Sequence, residues 1–165
     1  MKGKIRALTV SALCAALGTV ILALSLLLPM QRLALLCAAS LGVVASLCMN
    51  GEAWALCTYA GTALLSFLLL PEKTMPLAYG LFCGYYPVLK LKLEALSSGF
   101  GRLALKLLCF NAAFAVFYVL IRLTVAFPLG VLVAIANGAF LLYDYALGKL
   151  ILLYIRKIGR RVDHG

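Results

Sequence analysis

Acidic groups and histidine are scarce in this chain. Five Asp and Glu residues stand against fifteen Lys and Arg, and the one histidine, His164, lies in the tail. That count argues against a histidine metal centre or a histidine general base inside the fold. Asp144 is the one Asp within an apolar run, which argues against proteolysis through paired aspartates. GxSxG, HExxH and P-loop sequences are absent, so the usual nucleophile, zinc and nucleotide devices have no carrier. The six cysteines, Cys14, Cys37, Cys48, Cys57, Cys83 and Cys109, form no CxxC pair. They lie in apolar runs, where small thiols pack between helices. Neither an enzyme nor a cofactor nor a metal is expected. Polar stretches long enough for a soluble domain are also missing. The net charge of +10 has no basic patch on a folded domain to occupy, so no nucleic-acid partner is expected.

Apolar residues dominate instead. They make up 65% of the 165 residues, and the mean hydropathy is +1.10. Soluble domains run at about 45–50%. Polar groups are too few to cover such a chain in water, so membrane lipid is the expected solvent for much of it. A crossing helix needs about 20 apolar residues. Six spans satisfy or approach this: Ala7–Leu28, Leu33–Met49, Ala53–Leu70, a weaker one from Leu77 toward Pro87, Leu103–Phe127 and Leu129–Leu153. None alternates with a period of two, which excludes a β-barrel. The expected fold is an all-α membrane protein, one domain over 1–165, built as a bundle of six transmembrane helices. The Ala7–Leu28 run exceeds a signal-peptide core and no convincing cleavage site precedes Pro29, so it is read as a retained helix.

Alternating the spans places twelve of the fifteen cations on one side, leaving Arg32, Lys73 and Arg122 on the other. Lys/Arg bias in short loops sets orientation, so both termini are expected in the cytoplasm of a multi-pass cell-membrane protein. Trp54, Tyr85, Tyr86 and Tyr154 fall at the predicted inner interface, and Tyr79 and Phe127 near the outer one. Val88–Arg102 mixes leucines with Lys90, Lys92, Glu94 and Arg102. It suits either an interfacial segment or a docking surface. Pro71 and Pro76 bound a loop, and Pro87 is expected to kink or stop span 4.

Small residues recur every fourth position: Ala7, Ser11 and Ala15; Ala12 and Ala16; Ala34, Ala38, Gly42 and Ser46; Ala53, Cys57 and Gly61. Such rows let helix backbones approach, either inside the bundle or against another membrane protein. Asn111 and Asn137 lie about 12–14 Å in from opposite ends of their antiparallel spans. They suit an inter-helix amide bond or the floor of a pocket. Asp144 pairs best with Lys106, with Lys149 as a competitor. Arg32, Glu72, Lys73, Thr74, Tyr79, Tyr118 and Arg122 ring the outer mouth. A ligand pocket there is expected to use Tyr79, Arg122 and Asn137, with Glu72 and Lys73 in the covering loop.

The opening from Arg6 to Gly18 holds Ala12-Leu13-Cys14-Ala15-Ala16, an AxxxA motif after a basic start. This resembles the first helix of substrate-binding S components of energy-coupling factor (ECF) transporters. The resemblance implies a substrate-capturing subunit of a multisubunit importer for a small molecule such as a vitamin. It also implies that Ala12 and Ala16 dock on a transmembrane coupling subunit that works with ATPase subunits. The chain departs from that family in the short Pro29–Arg32 connection, where S components usually carry a lid. Small six-helix envelope proteins such as the rod-shape protein MreD share the plan. They give the alternative of a non-catalytic scaffold subunit in a bacterial cell-envelope complex.

Overall fold

A computed structural model describes residues 2–94, 99–121 and 129–162. The described residues are helical and include no strand. The order is α1 (Lys2–Leu24), α2 (Arg32–Asn50), α3 (Glu52–Leu69), α4 (Thr74–Ala78), a π-helical turn (Tyr79–Cys83), α5 (Tyr86–Glu94), α6 (Gly99–Ile121) and α7 (Leu129–Val162). Two compact units result, residues 1–123 and 124–165. Among the described residues, five helices are long and apolar enough to cross a membrane: α1, α2, α3, α6 and α7. They match five of the six expected spans. The fourth is broken into α4, the π-turn and α5.

In the first unit α1, α2 and α3 pack closely because small residues remove the bulk between them. A Cβ on Gly42 would lie 3.0 Å from the Cys14 carbonyl oxygen of α1. One on Gly18 would lie 3.0 Å from Thr62 Cγ2, and one on Gly61 3.3 Å from Ala15 Cβ. The row Ala7, Ser11, Ala15 and Leu22 is the buried face of α1. Ala12 and Ala16 are exposed, on the face that also carries Leu8, Leu13 and Leu17. Internal packing and an outward small-residue row therefore belong to different faces of one helix. Ala34, Ala53 and Cys57 also face outward.

Helix α3 is inside out by the standard of soluble proteins. Its buried face is Ala55, Thr58, Thr62 and Ser66, while Leu64, Leu65, Phe67, Leu68 and Leu69 are exposed. Most hydroxyls bond within their own helices: Thr19 to Ala15 O, Thr58 to Trp54 O, Thr62 to Thr58 O and Ser66 to Thr62 O. Ser11 and Ser46 instead share a 3.0 Å bond between α1 and α2. An apolar exterior over small and hydroxylated packing faces is consistent with a multi-pass membrane protein.

Gly51 closes the α2–α3 turn at φ 90°, a conformation that favours glycine. Glu52 opens α3, where a carboxylate meets the positive end of the helix dipole. The other break points shift from the sequence reading. Pro76 lies inside α4, in a first turn whose amides need no intrahelical acceptor. Pro87 likewise opens α5 rather than ending a span. Residues 88–94 of the segment expected to be interfacial or a docking surface bury one side, with Pro87, Val88, Lys90 and Leu93 inside, and expose Leu91, Lys92 and Glu94. Tyr79 and Tyr86, expected near the interfaces, are buried too. Lys90 and Lys106 both approach Oε1 of Glu94, at 3.3 and 3.5 Å, so one carboxylate joins α5 to α6. Lys92 reaches Glu52 at 3.5 Å on the exposed side.

Candidate functional site

The interruption of the fourth span builds an irregular region inside the bundle of the first unit. The Gly84 amide donates to the Tyr79 carbonyl at 2.8 Å, the five-residue reach of a π-helix. Such turns are rare and often sit at functional sites. Two aromatic groups hold this one. Phe82 packs on Phe110, Phe114 and Phe117 of α6, with centroids 5.4, 6.4 and 5.2 Å away. On the other side, the Tyr59 hydroxyl of α3 donates to the Gly80 carbonyl at 3.0 Å. The Tyr59 ring lies 6.3 Å from both Tyr79 and Tyr85. Gly84 makes room for these rings. A Cβ there would collide with Tyr59 and come within 2.9 Å of the Tyr79 ring. The thiols of Cys37 on α2 and Cys83 hydrogen-bond, tying the turn to a third helix.

Tyr79 is fully buried, at 0% exposure. Its hydroxyl has no hydrogen-bond partner, and Arg32 Nε is the other buried side-chain polar atom without one among the described residues. Thr62 is the polar neighbour of Tyr79; its own proton goes to Thr58 O at 2.9 Å, and its oxygen keeps a lone pair facing the Tyr79 hydroxyl as an acceptor outside ordinary hydrogen-bond geometry. Buried polar groups normally find partners, so each exception calls for a reason.

Near Tyr79, two connections meet at one end of the α1–α3 bundle. Arg32 at the start of α2 holds Glu72, beyond α3, through two bonds of 2.8 and 2.9 Å. Lys73 donates to the Leu70 carbonyl at 2.8 Å and to the Phe67 carbonyl, and lies 5.1 Å from the Phe67 ring centroid. It neutralises the negative end of α3. Glu72 and Lys73 thus organise the connection itself.

The expected ligand residues divide accordingly. Tyr79, Glu72 and Lys73 belong to the first unit, Glu72 and Lys73 in the α3–α4 connection and Tyr79 on the π-turn against Tyr59 of α3. Arg122 lies outside the described residues. Asn137 is in the second unit, where its amide donates to Val133 O at 2.8 Å. Asn111, in the first unit, donates to Leu107 O at 2.8 Å. Lys106 pairs with Glu94, while Asp144 belongs to the second unit. Sequence reasoning missed Tyr59 and the Cys37–Cys83 contact, because both depend on which helices the π-turn touches. Gly80 and Gly84, set between Tyr79 and Tyr85, were the available signal. Among the described residues, no group of three or more His, Cys, Asp or Glu side chains stands together to hold a metal.

No family model, no curated protein and no solved structure matches this chain.

Proposed function

We propose that the chain captures a small molecule within a membrane-spanning helical bundle and delivers it to a multisubunit importer of the ECF type. The observation that carries this reading is the Tyr79 hydroxyl, fully buried on a π-turn between α2, α3 and α6 with no well-formed hydrogen bond and Thr62 as its polar neighbour. A polar atom left open inside an apolar fold suits a site completed by a ligand. The exposed row of Ala12 and Ala16 supports the second half of the reading, contact with a transmembrane coupling subunit. Membrane lipid covers the remaining apolar exterior.

Mass spectrometry of protein purified in mild detergent tests capture. A small molecule should leave with the wild-type chain, and Tyr79→Phe should reduce its recovery by about tenfold, the effect of one lost buried hydrogen bond. Equal recovery from both would place the molecule elsewhere. Absence of any such molecule under all extraction conditions would leave the alternative, a scaffold subunit of a cell-envelope complex. One observation favours that alternative: Glu72 and Lys73 already serve the α3–α4 connection.

The proposed orientation puts both termini and residues 50–52 in the cytoplasm, and residues 29–32 and 70–74 outside. In a cysteine-free background, a thiol introduced at Lys73 or Arg32 should react with an impermeant reagent added to intact cells. One at Lys92 should react only after the cells are opened. Labelling of Lys92 from outside would reverse the orientation or remove a crossing.

A further inference from the structure

Cys83 ends the π-turn and Cys37 lies within α2, and their thiols hydrogen-bond across the two elements. Packing fixes this contact. The turn lies on α2 as well as on α3 and α6. Both supports are braced from their other sides. Helix α2 meets α1 at Gly42, where a Cβ would lie 3.0 Å from the Cys14 carbonyl oxygen. The turn is held by Phe82 on Phe110 of α6 and by the Tyr59 hydroxyl on the Gly80 carbonyl. The sulfurs are therefore presented to each other by elements that have little room to part.

A thiol pair in contact can do what a lone thiol cannot. A disulfide sets its sulfurs about 2 Å apart, so hydrogen-bonded thiols have only the remaining gap to close. Both cysteines are free thiols in this structure, which makes it the reduced form. A thiol is a weak donor, so this contact adds little to the packing that seats the turn on α2. The two differ in access. Cys83 is 5% exposed, whereas Cys37 is only half-buried. Oxidation follows access, so Cys37 meets an oxidant first and Cys83 is placed to resolve it.

We infer that Cys37 and Cys83 form a redox-sensitive lock, in which an apolar hydroperoxide converts the thiol pair into a disulfide that fastens the π-turn to α2. Such an oxidant dissolves in the apolar surroundings that this exterior requires. The Cys37 sulfur attacks the peroxide. An S–O bond forms, the O–O bond breaks, the oxidant leaves as an alcohol, and Cys37 becomes a sulfenic acid. The Cys83 sulfur then attacks the Cys37 sulfur. The S–S bond forms, the S–O bond breaks, and the hydroxyl leaves as water with the Cys83 proton. The two thiols lose two electrons and two protons, and the hydroperoxide is reduced to alcohol and water. The new bond closes a loop that contains the rest of α2, all of α3 and α4. Closing so long a loop restricts the unfolded chain and favours the folded one. The lock does not depend on the capture of a small molecule.

The test treats the full chain in lipid nanodiscs with cumene hydroperoxide and then alkylates the remaining thiols. Mass spectrometry without reductant should find the Cys37 and Cys83 peptides linked, and a membrane-permeant phosphine should release them. Amide exchange across residues 79–84 should slow by about tenfold or more in the linked protein and recover on reduction. Cys83→Ser should leave Cys37 as a sulfenic acid that dimedone traps. Cys109→Ser, which removes a thiol of α6, should leave the link intact. The wild-type link needs no variant, so the test survives a substitution that fails to fold. Absence of the link, a preferred link of either cysteine to Cys109, or unchanged exchange across 79–84 in linked protein overturns the inference.

Discussion

Gly42→Leu should force α1 and α2 apart and lower the melting temperature of the protein. The position leaves no space. Even a Cβ would sit 3.0 Å from the Cys14 carbonyl oxygen, and the obstacle is backbone, which no rotamer change can move. Overpacking typically costs about 1–3 kcal/mol and occasionally more. A leucine against a fixed carbonyl belongs at the upper end, about 3 kcal/mol. For a chain of this size that corresponds to a fall of about 6–12 °C in melting temperature. Gly138→Leu is the control, since nothing lies within 4 Å of a Cβ there. Thermal unfolding in detergent, read alongside size-exclusion profiles, compares the two. If Gly42→Leu melts with the wild type, α1 and α2 do not approach as described.

The second large effect concerns α1, where one substitution should have opposite consequences on adjacent faces. Ala15 is 5% exposed and sits opposite Gly61, so Ala15→Trp should unfold the first unit. Ala12 and Ala16 are exposed, so Ala12→Trp and Ala16→Trp should leave the isolated protein folded. If that face docks on a coupling subunit, both outward variants should lose its co-purification by tenfold or more. A bulky ring there separates backbones that depend on close approach. Intact recovery of the coupling subunit with both outward variants would sink the docking assignment. Unfolding of all three would make the outward face part of the internal packing.

Much of this architecture was legible because the long helices are written in long apolar runs. The ends of α2 and α3 fall within a residue of the spans read from composition, with Gly51 between them. The buried row of Ala7, Ser11 and Ala15 was visible from its spacing. Which of two neighbouring rows would be buried was not, since both carry small residues. The fourth span, read as the weakest, is the one that is interrupted, though the form of the break was not foreseen. A π-turn has no residue preference of its own, and Pro76 and Pro87 signal a break equally well as helix openers. Lys90 illustrates the same gap. Its burial depends on Glu94, one turn away, and on α6 lying alongside. The candidate site was half legible: Glu72, Lys73 and Tyr79 were named from polarity and position. Tyr59 and the unmet Nε of Arg32 emerge only from the packing of α2 and α3 against the turn.

The hydroxyl groups of α3 set an order of assembly. Each of Thr58, Thr62 and Ser66 gives its proton to a carbonyl one turn back on the same helix. A segment that supplies its own acceptors can enter hydrocarbon alone, before any neighbour arrives. For a protein placed in a membrane, as proposed, insertion of such a segment need not wait for folding, and the meeting of helices would exchange lipid contacts for protein contacts with little change in hydrogen bonding. The Ser11–Ser46 bond is different, because neither helix can make it alone. It needs both helices in place, so it marks their pairing rather than the formation of either one.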